Sequence, residues 1–189
     1  MQLEGGTGLT TQSLIAKRPL ATSDPRHVDV VDFLHYEAEL LDNLEERRWL
    51  SELVSRDIEY QVPVRETVER ARGTGFSATT FHLKENLGSL DSRVTRGETK
   101  YAWAEDPPSR VRHFVTNIRV RPHESADDLI RVKSNILIYR TRQSQTTPQM
   151  LSGERDDVLR REGGELKLLR RTVYLDLSVI GTHNLSLFF

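Results

Sequence analysis

At Pro107 and Pro108 the spacing of apolar residues changes from three and four to two. The alternation then persists through runs at about 110–121, 129–143, 149–162 and 165–178. Sustained alternation of this kind makes strands with one buried face. Upstream, Val31, Leu34, Ala38 and Leu41, and then Trp49, Leu50 and Leu53, fall at helical spacing. Two consecutive amphipathic helices are expected there, with Asp24 or a neighbour as N-cap and Pro25 in the first turn. DIEYQVPV (57–64) reads as a short strand ending at its proline, and 65–75 as a polar loop. FSATTFHL (76–83) is a strand or a turn, and KENLGSLDSRVTRGE (84–98) a helix carried by Leu87, Leu90 and Val94 and weakened by Gly88. Helices first and a long antiparallel meander second is an α+β pattern, with N-terminal helices packed on one face of a curved, mostly antiparallel β-sheet. The 189 residues suit one core. Residues 1–25, rich in Gly, Thr and Ser, are expected to form an N-terminal arm, and 26–189 a single domain.

The last hairpin can be paired on paper. With Gly163-Gly164 as a two-residue turn, Glu162 faces Glu165, and Asp157 then opposes Arg170, Asp156 opposes Arg171, Leu159 opposes Leu168 and Val158 opposes Leu169. Opposite charges and apolar residues coincide, each pair contributing roughly 0.2–1 kcal/mol, and the charged ones read as solvated cross-strand pairs. Arg160 facing Lys167 and the two glutamates at the turn are discordant, so a bulge or a longer loop stays open.

For the strand pair 110–121 and 129–143, a continuous core face needs Phe114, Ile118 and Val120 on one strand and Ile130, Val132, Ile136 and Ile138 on the other. That parity turns His113, Asn117 and Arg119, with Arg131 and Tyr139, to the outer face. Such a mixture of aromatic, aliphatic and arginine side chains suits a protein–protein contact, although a solvated sheet can have a similar composition. Phe188 and Phe189 in NLSLFF are expected to dock against the core or a neighbouring subunit. The expected subunit-interface residues are therefore His113, Asn117, Arg119, Arg131, Tyr139, Phe188 and Phe189.

Charge and motifs narrow the chemistry. With 27 basic and 28 acidic residues and a net charge of -1, the chain offers no footprint for nucleic acid. No apolar run approaches the roughly 20 residues that span a bilayer, and MQLEGGTGLTTQ lacks the basic end and apolar centre of a signal peptide. The expectation is a soluble, cytoplasmic protein. There is no cysteine, and the six histidines (27, 35, 82, 113, 123 and 183) form no HxH, HxxxH or HExxH pair, so no metal ligands are expected in this chain. Glycine-rich nucleotide loops and the GxSxG elbow are also missing, and no catalytic or cofactor-binding residues are expected. One enzyme class fits the architecture, a cofactor-free dehydratase or isomerase holding an acid–base pair in the mouth of a cone. Its candidates are Tyr36, Asp57, Tyr60, His82 and His113, provided they point inward.

A resemblance then adds to this reading. The runs FLHYEAELLDNLEERRWLSELVSRDIEYQVPV (33–64), SRVRHFVTNIRV (109–120), SNILIYRTR (134–142), SGERDDVLRR (152–161) and LLRRTVYLDLSVIGTHNLSLFF (168–189) resemble, as a set, the small or beta subunit of aromatic-ring-hydroxylating dioxygenases, in the biphenyl, toluene and cumene branch. The resemblance implies a cone-like fold similar to nuclear transport factor (cystatin-like) and to scytalone dehydratase. It implies an alpha3beta3 hexamer with catalytic alpha subunits that carry a Rieske [2Fe–2S] cluster and a mononuclear Fe(II). Ferredoxin and reductase would act through the alpha subunit, passing electrons from NADH to convert an arene to a cis-dihydrodiol. A Rieske cluster takes two Cys and two His, and the mononuclear iron two His and a carboxylate. The chain has no cysteine for the first, which agrees with a structural role in assembly.

Overall fold

The computed structural model describes residues 18–66, 75–99, 108–124, 126–178, 180 and 187–189. Most of the loop expected at 65–75 and of the arm expected at 1–25 lies outside them. Three helices, α1 (Pro25–Asp42), α2 (Glu46–Glu52) and α3 (Leu87–Glu98), accompany six strands, β1 (Val54–Arg65), β2 (Phe76–Glu85), β3 (Arg110–Pro122), β4 (Leu129–Thr141), β5 (Gln149–Glu162) and β6 (Glu165–Leu175).

The strands form one sheet in the order β2-β1-β6-β5-β4-β3. Every junction is antiparallel except β1 with β6, which run parallel. The α+β class is as expected. The sheet is mixed because β3, the strand that follows α3, lies at the edge opposite β2, so that the meander β3–β6 ends beside β1. That central place also lengthens β1 at both ends. It starts early enough for the Leu168 N–H to reach the Leu53 carbonyl at 2.7 Å. It also runs past Pro63, which sits between two register shifts against β2, where its missing N–H breaks no regular ladder.

Asp24 caps α1 by accepting the Arg26 N–H at 2.9 Å, and Pro25 opens the first turn. The buried stripe of α1 is His27, Val30, Leu34, Glu37 and Leu41, rotated from the expected Val31–Ala38 line. A buried glutamate holds the middle of it. Helix α3 starts with a capping box in which Asn86 and Ser89 satisfy each other's backbone N–H groups at 3.1 and 3.0 Å. Val30, Leu34, Trp49 and Leu90, from the three helices, pack with Tyr60, Val132, Ile136, Leu159 and Leu168 of the sheet in one core.

Two bulges decide which side chains enter that core. Between Thr116 and Arg119 the β3–β4 register slips by one residue, with Asn117 in left-handed backbone at φ 51°. One extra residue reverses the alternation. Beyond the bulge Val120 points inward as expected. Before it, Val111 is buried, Phe114 is 55 % exposed, and the His113 side chain is only 4 % exposed. The expected outer placement of His113 and inner placement of Phe114 are thus overturned. The second bulge lies between Val158 and Leu159 of β5. The hairpin keeps the expected register from Glu162–Glu165 to Leu159–Leu168, and beyond the slip Asp157 pairs with Arg171 and Val158 with Arg170. The expected pairs Asp157–Arg170, Asp156–Arg171 and Val158–Leu169 are corrected accordingly. Instead of a solvated pair, Asp157 and Arg171 are both 0 % exposed.

Candidate functional site

The cone's interior is where an acid–base pair would sit, and it holds four charges. Glu37 descends from α1, while Arg155, Asp157 and Arg171 rise from β5 and β6. Arg171 bridges both carboxylates, with Nη1 and Nη2 to Glu37 at 2.9 and 2.8 Å and Nε and Nη2 to Asp157 at 2.9 and 2.8 Å. Arg155 donates Nη1 to Glu37 at 3.1 Å and Nε to Ser134 Oγ at 3.1 Å. Trp49 adds its indole N–H to Glu37 Oε1 at 3.0 Å. Two cations and two anions cancel, which is the condition for carrying ions into a core at all.

Burial acts to raise the Glu37 pKa, but the charges of Arg171 and Arg155 outweigh it and hold the carboxyl below its ordinary value. For Arg155, burial and the Arg171 charge outweigh the two carboxylates and lower it. Arg171, against the same burial, is raised by Asp157 and Glu37. Glu37 therefore stands as a carboxylate with donors on both oxygens. It has no proton to give and no lone pair turned to a substrate.

Above the quartet lie Leu187, Phe188 and Phe189, each held through its backbone. Arg93 Nη2 donates to the Leu187 carbonyl at 2.9 Å. His113 Nε2 meets the Phe188 carbonyl at 2.9 Å while Nδ1 lies 2.6 Å from Asp42 Oδ1. Tyr60 Oη accepts the Phe189 N–H at 2.7 Å and donates to the Phe189 backbone oxygen at 3.2 Å, which also takes Arg171 Nη1 at 2.6 Å. The Phe188 ring packs at 4.8 Å from Trp49 and under the Arg93 guanidinium at 4.6 Å, between centroids and to the centroid respectively. Phe188 and Phe189 are 7 % and 0 % exposed. Of the two dockings expected for them, the structure gives the one against the chain's own core.

The acid–base candidates do not converge. Tyr36 donates to Glu52 at 2.7 Å and accepts from Arg48 at 2.7 Å on the helical surface. The Asp57 side chain is 69 % exposed and pairs with Arg160. His82 lies on β2 with Nε2 buried and without a hydrogen-bond partner among the described residues. Tyr60 and His113 do point inward, and both are spent on the Leu187–Phe189 segment. Burial pushes the Tyr60 phenol up to about 12. Among the described residues, no three His, Cys, Asp or Glu side chains come together where they could hold a metal ion.

The other expected interface residues do face outward. Asn117 is exposed at the bulge. Arg119 bonds Asn135 and Glu154 at 3.1 and 2.9 Å, and Arg131 forks onto Asp156 at 3.0 and 2.6 Å. Tyr139 is 37 % exposed. Sequence reasoning missed the buried quartet, although one signal existed. Arg155 and Asp157 occupy the same parity as Leu151 and Leu159, and Glu37 lies between Leu34 and Leu41 on one helical stripe.

The model of the family described as "Ring hydroxylating beta subunit" matches residues 36–182. The chain belongs to that family. The beta subunit of 3-phenylpropionate/cinnamic acid dioxygenase from Photorhabdus laumondii is 35 % identical over 182 residues, which cover 94 % of this chain and 99 % of that one. Among solved structures, naphthalene 1,2-dioxygenase with indole bound matches with a TM-score of 0.78 and 28 % identity, over 91 % of this beta subunit and 90 % of that chain. The beta subunit of benzoate 1,2-dioxygenase from Burkholderia mallei matches with a TM-score of 0.60 and 21 % identity, over 83 % and 93 %. These matches carry the cone-like, nuclear-transport-factor-like fold. Membership of a dioxygenase beta subunit family implies an alpha subunit as partner.

Proposed function

We propose that this beta subunit is the non-catalytic, assembling component of an alpha3beta3 terminal oxygenase of the biphenyl type. In this reading the enzyme draws electrons from NADH through a reductase and a ferredoxin that act on the alpha subunit, and it converts an arene to a cis-dihydrodiol in the cytoplasm. The Rieske [2Fe–2S] cluster and the mononuclear Fe(II) belong to alpha. The residues of this chain do not fit either group: it has no cysteine for the cluster, and its described histidines and carboxylates do not gather into a facial triad.

The observation that carries the reading is the closure of the cone. Tyr60, His113, Arg171 and Glu37, the inward polar groups available for acid–base work, are engaged by one another and by Leu187–Phe189. That occupancy also disfavours a cofactor-free dehydratase or isomerase built on Tyr36, Asp57 or His82.

The test is to purify the chain alone and together with a Rieske-type alpha subunit, then assay each with ferredoxin, reductase and NADH and measure iron. Turnover and iron are expected only in the complex. Dihydroxylation by the isolated chain, or iron bound tightly to it, contradicts the proposal.

A further inference from the structure

Among the described residues, four side chains from four elements grip the main chain of Leu187–Phe189: Arg93 of α3, His113 of β3, Tyr60 of β1 and Arg171 of β6. Three of them keep their protons at any working pH. Guanidiniums do not deprotonate in proteins, and burial pushes the Tyr60 phenol up to about 12. The fourth is a histidine, the side chain that changes charge around neutrality.

The partners of His113 define what its ring must carry. It lies between two oxygens, with Nδ1 2.6 Å from Asp42 Oδ1 and Nε2 2.9 Å from the Phe188 carbonyl. A carbonyl only accepts, so Nε2 needs a proton to bond it. Asp42 Oδ1 also accepts the His113 backbone N–H at 3.0 Å, as a carboxylate does, so Nδ1 needs a proton as well. Only the imidazolium makes both bonds at once. A neutral ring turns a bare lone pair toward one of the two oxygens. The carboxylate keeps its donor, because the charge-assisted bond is the stronger. The Phe188 carbonyl then loses its own, beside a side chain that is only 4 % exposed.

The other charged groups around the ring are already placed. On α1 the neighbour is Asp42 itself, and on β3 Arg112 stands 3.9 Å from the second Asp42 oxygen. Opposite His113 on β4 is the apolar Ile138. Beyond the segment, Arg93 pairs with Glu85 at 2.7 Å and donates to the Leu187 carbonyl, while Tyr60 and Arg171 hold Phe189.

We propose that the His113 imidazolium is a proton-dependent latch, which holds Leu187–Phe189 in the cone while charged and lets go of Phe188 when Nε2 loses its proton. The docked segment thus goes with one proton more than the undocked one. By linkage, docking is strongest on the acid side of the His113 ionisation and weakens as pH rises through it. The latch goes beyond the assembling role and needs no alpha subunit.

The test is amide hydrogen exchange of the full chain, read by NMR at Phe189 over a pH series and corrected for the intrinsic rate. That N–H bonds Tyr60 and not His113, so it reports docking rather than the latch itself. In the wild type its protection is expected to fall by about tenfold or more as the ring loses its charge, the usual effect of one hydrogen bond to a charged group. His113→Gln, whose amide can donate to the Phe188 carbonyl at every pH, is expected to show protection that ignores pH. Asp42→Asn, which removes the carboxylate beside Nδ1, is expected to bring the fall to lower pH. Nitrogen chemical shifts of the wild-type His113 ring should show protons on both nitrogens while Phe189 is protected, and loss of the Nε2 proton over the same pH range as the protection. A ring with one proton beside a fully protected Phe189 overturns the proposal. Wild-type protection that ignores pH does so too, as does a fall that survives in His113→Gln. The ring shifts need no variant and decide the matter should either substitution unfold the chain.

Discussion

Glu37 shows what one residue does in this fold. Replacing it with glutamine leaves Arg155 and Arg171 facing Asp157 alone in the core, and breaking a buried pair in this way costs about 3–5 kcal/mol. Urea denaturation at neutral pH is the measurement, and a loss well under 1 kcal/mol would mean that water already reaches the quartet. The pH dependence follows from the carboxyl's lowered pKa. A group whose folded value lies below its unfolded one contributes its full stability above the unfolded value, here 4.5, and loses it as pH falls through the folded value. The gap between wild type and Glu37→Gln should thus be constant above about pH 5 and close on acidification. A gap that persists unchanged into strong acid would show that the Glu37 charge is not its source.

At the scale of elements, the β3 bulge decides which face of the strand meets the helices. Asn117 tolerates its φ of 51° better than most residues do. Asn117→Gly should be neutral or slightly stabilising, while Asn117→Val, β-branched in left-handed backbone, should cost about 1–2 kcal/mol. Thermal melts of the two variants check this, and equal melting points would deny the strain. The bulge also marks how far the sequence could be read. The three helices, β1, the four strands after Pro108 and the Asp24 cap were legible because apolar period and turn chemistry act locally, whereas 76–83 stayed open between strand and turn and the Asn86 cap was not foreseen. Parity was legible only up to an inserted residue. In SRVRHFVTNIRV, Val111, Val115 and Val120 are separated by four and then five positions, and a strict period of two cannot hold all three on one face. The same limit hid Asp157–Arg171, since the extra residue at Leu169 shifts the hairpin from one charge pairing to another.

At the scale of the molecule, membership of the family was legible from runs spread over the whole domain, whereas the closure of the cone was not. That closure depends on a segment remote in sequence, in which Phe188 and Phe189 enter beside Trp49 and Tyr60. No local pattern encodes where such a segment goes. It fills part of the interior with Phe188 and Phe189, and in the proposed reading this makes the chain a scaffold whose outer sheet face and strand ends meet its partners. The most direct measurement of that account is native mass spectrometry of the chain coexpressed with a Rieske-type alpha subunit. The predicted result is a complex of three alpha and three beta chains, from which the beta chain is released by collision without iron. A beta chain released with iron, or a failure of the two chains to form a mixed complex, would contradict it.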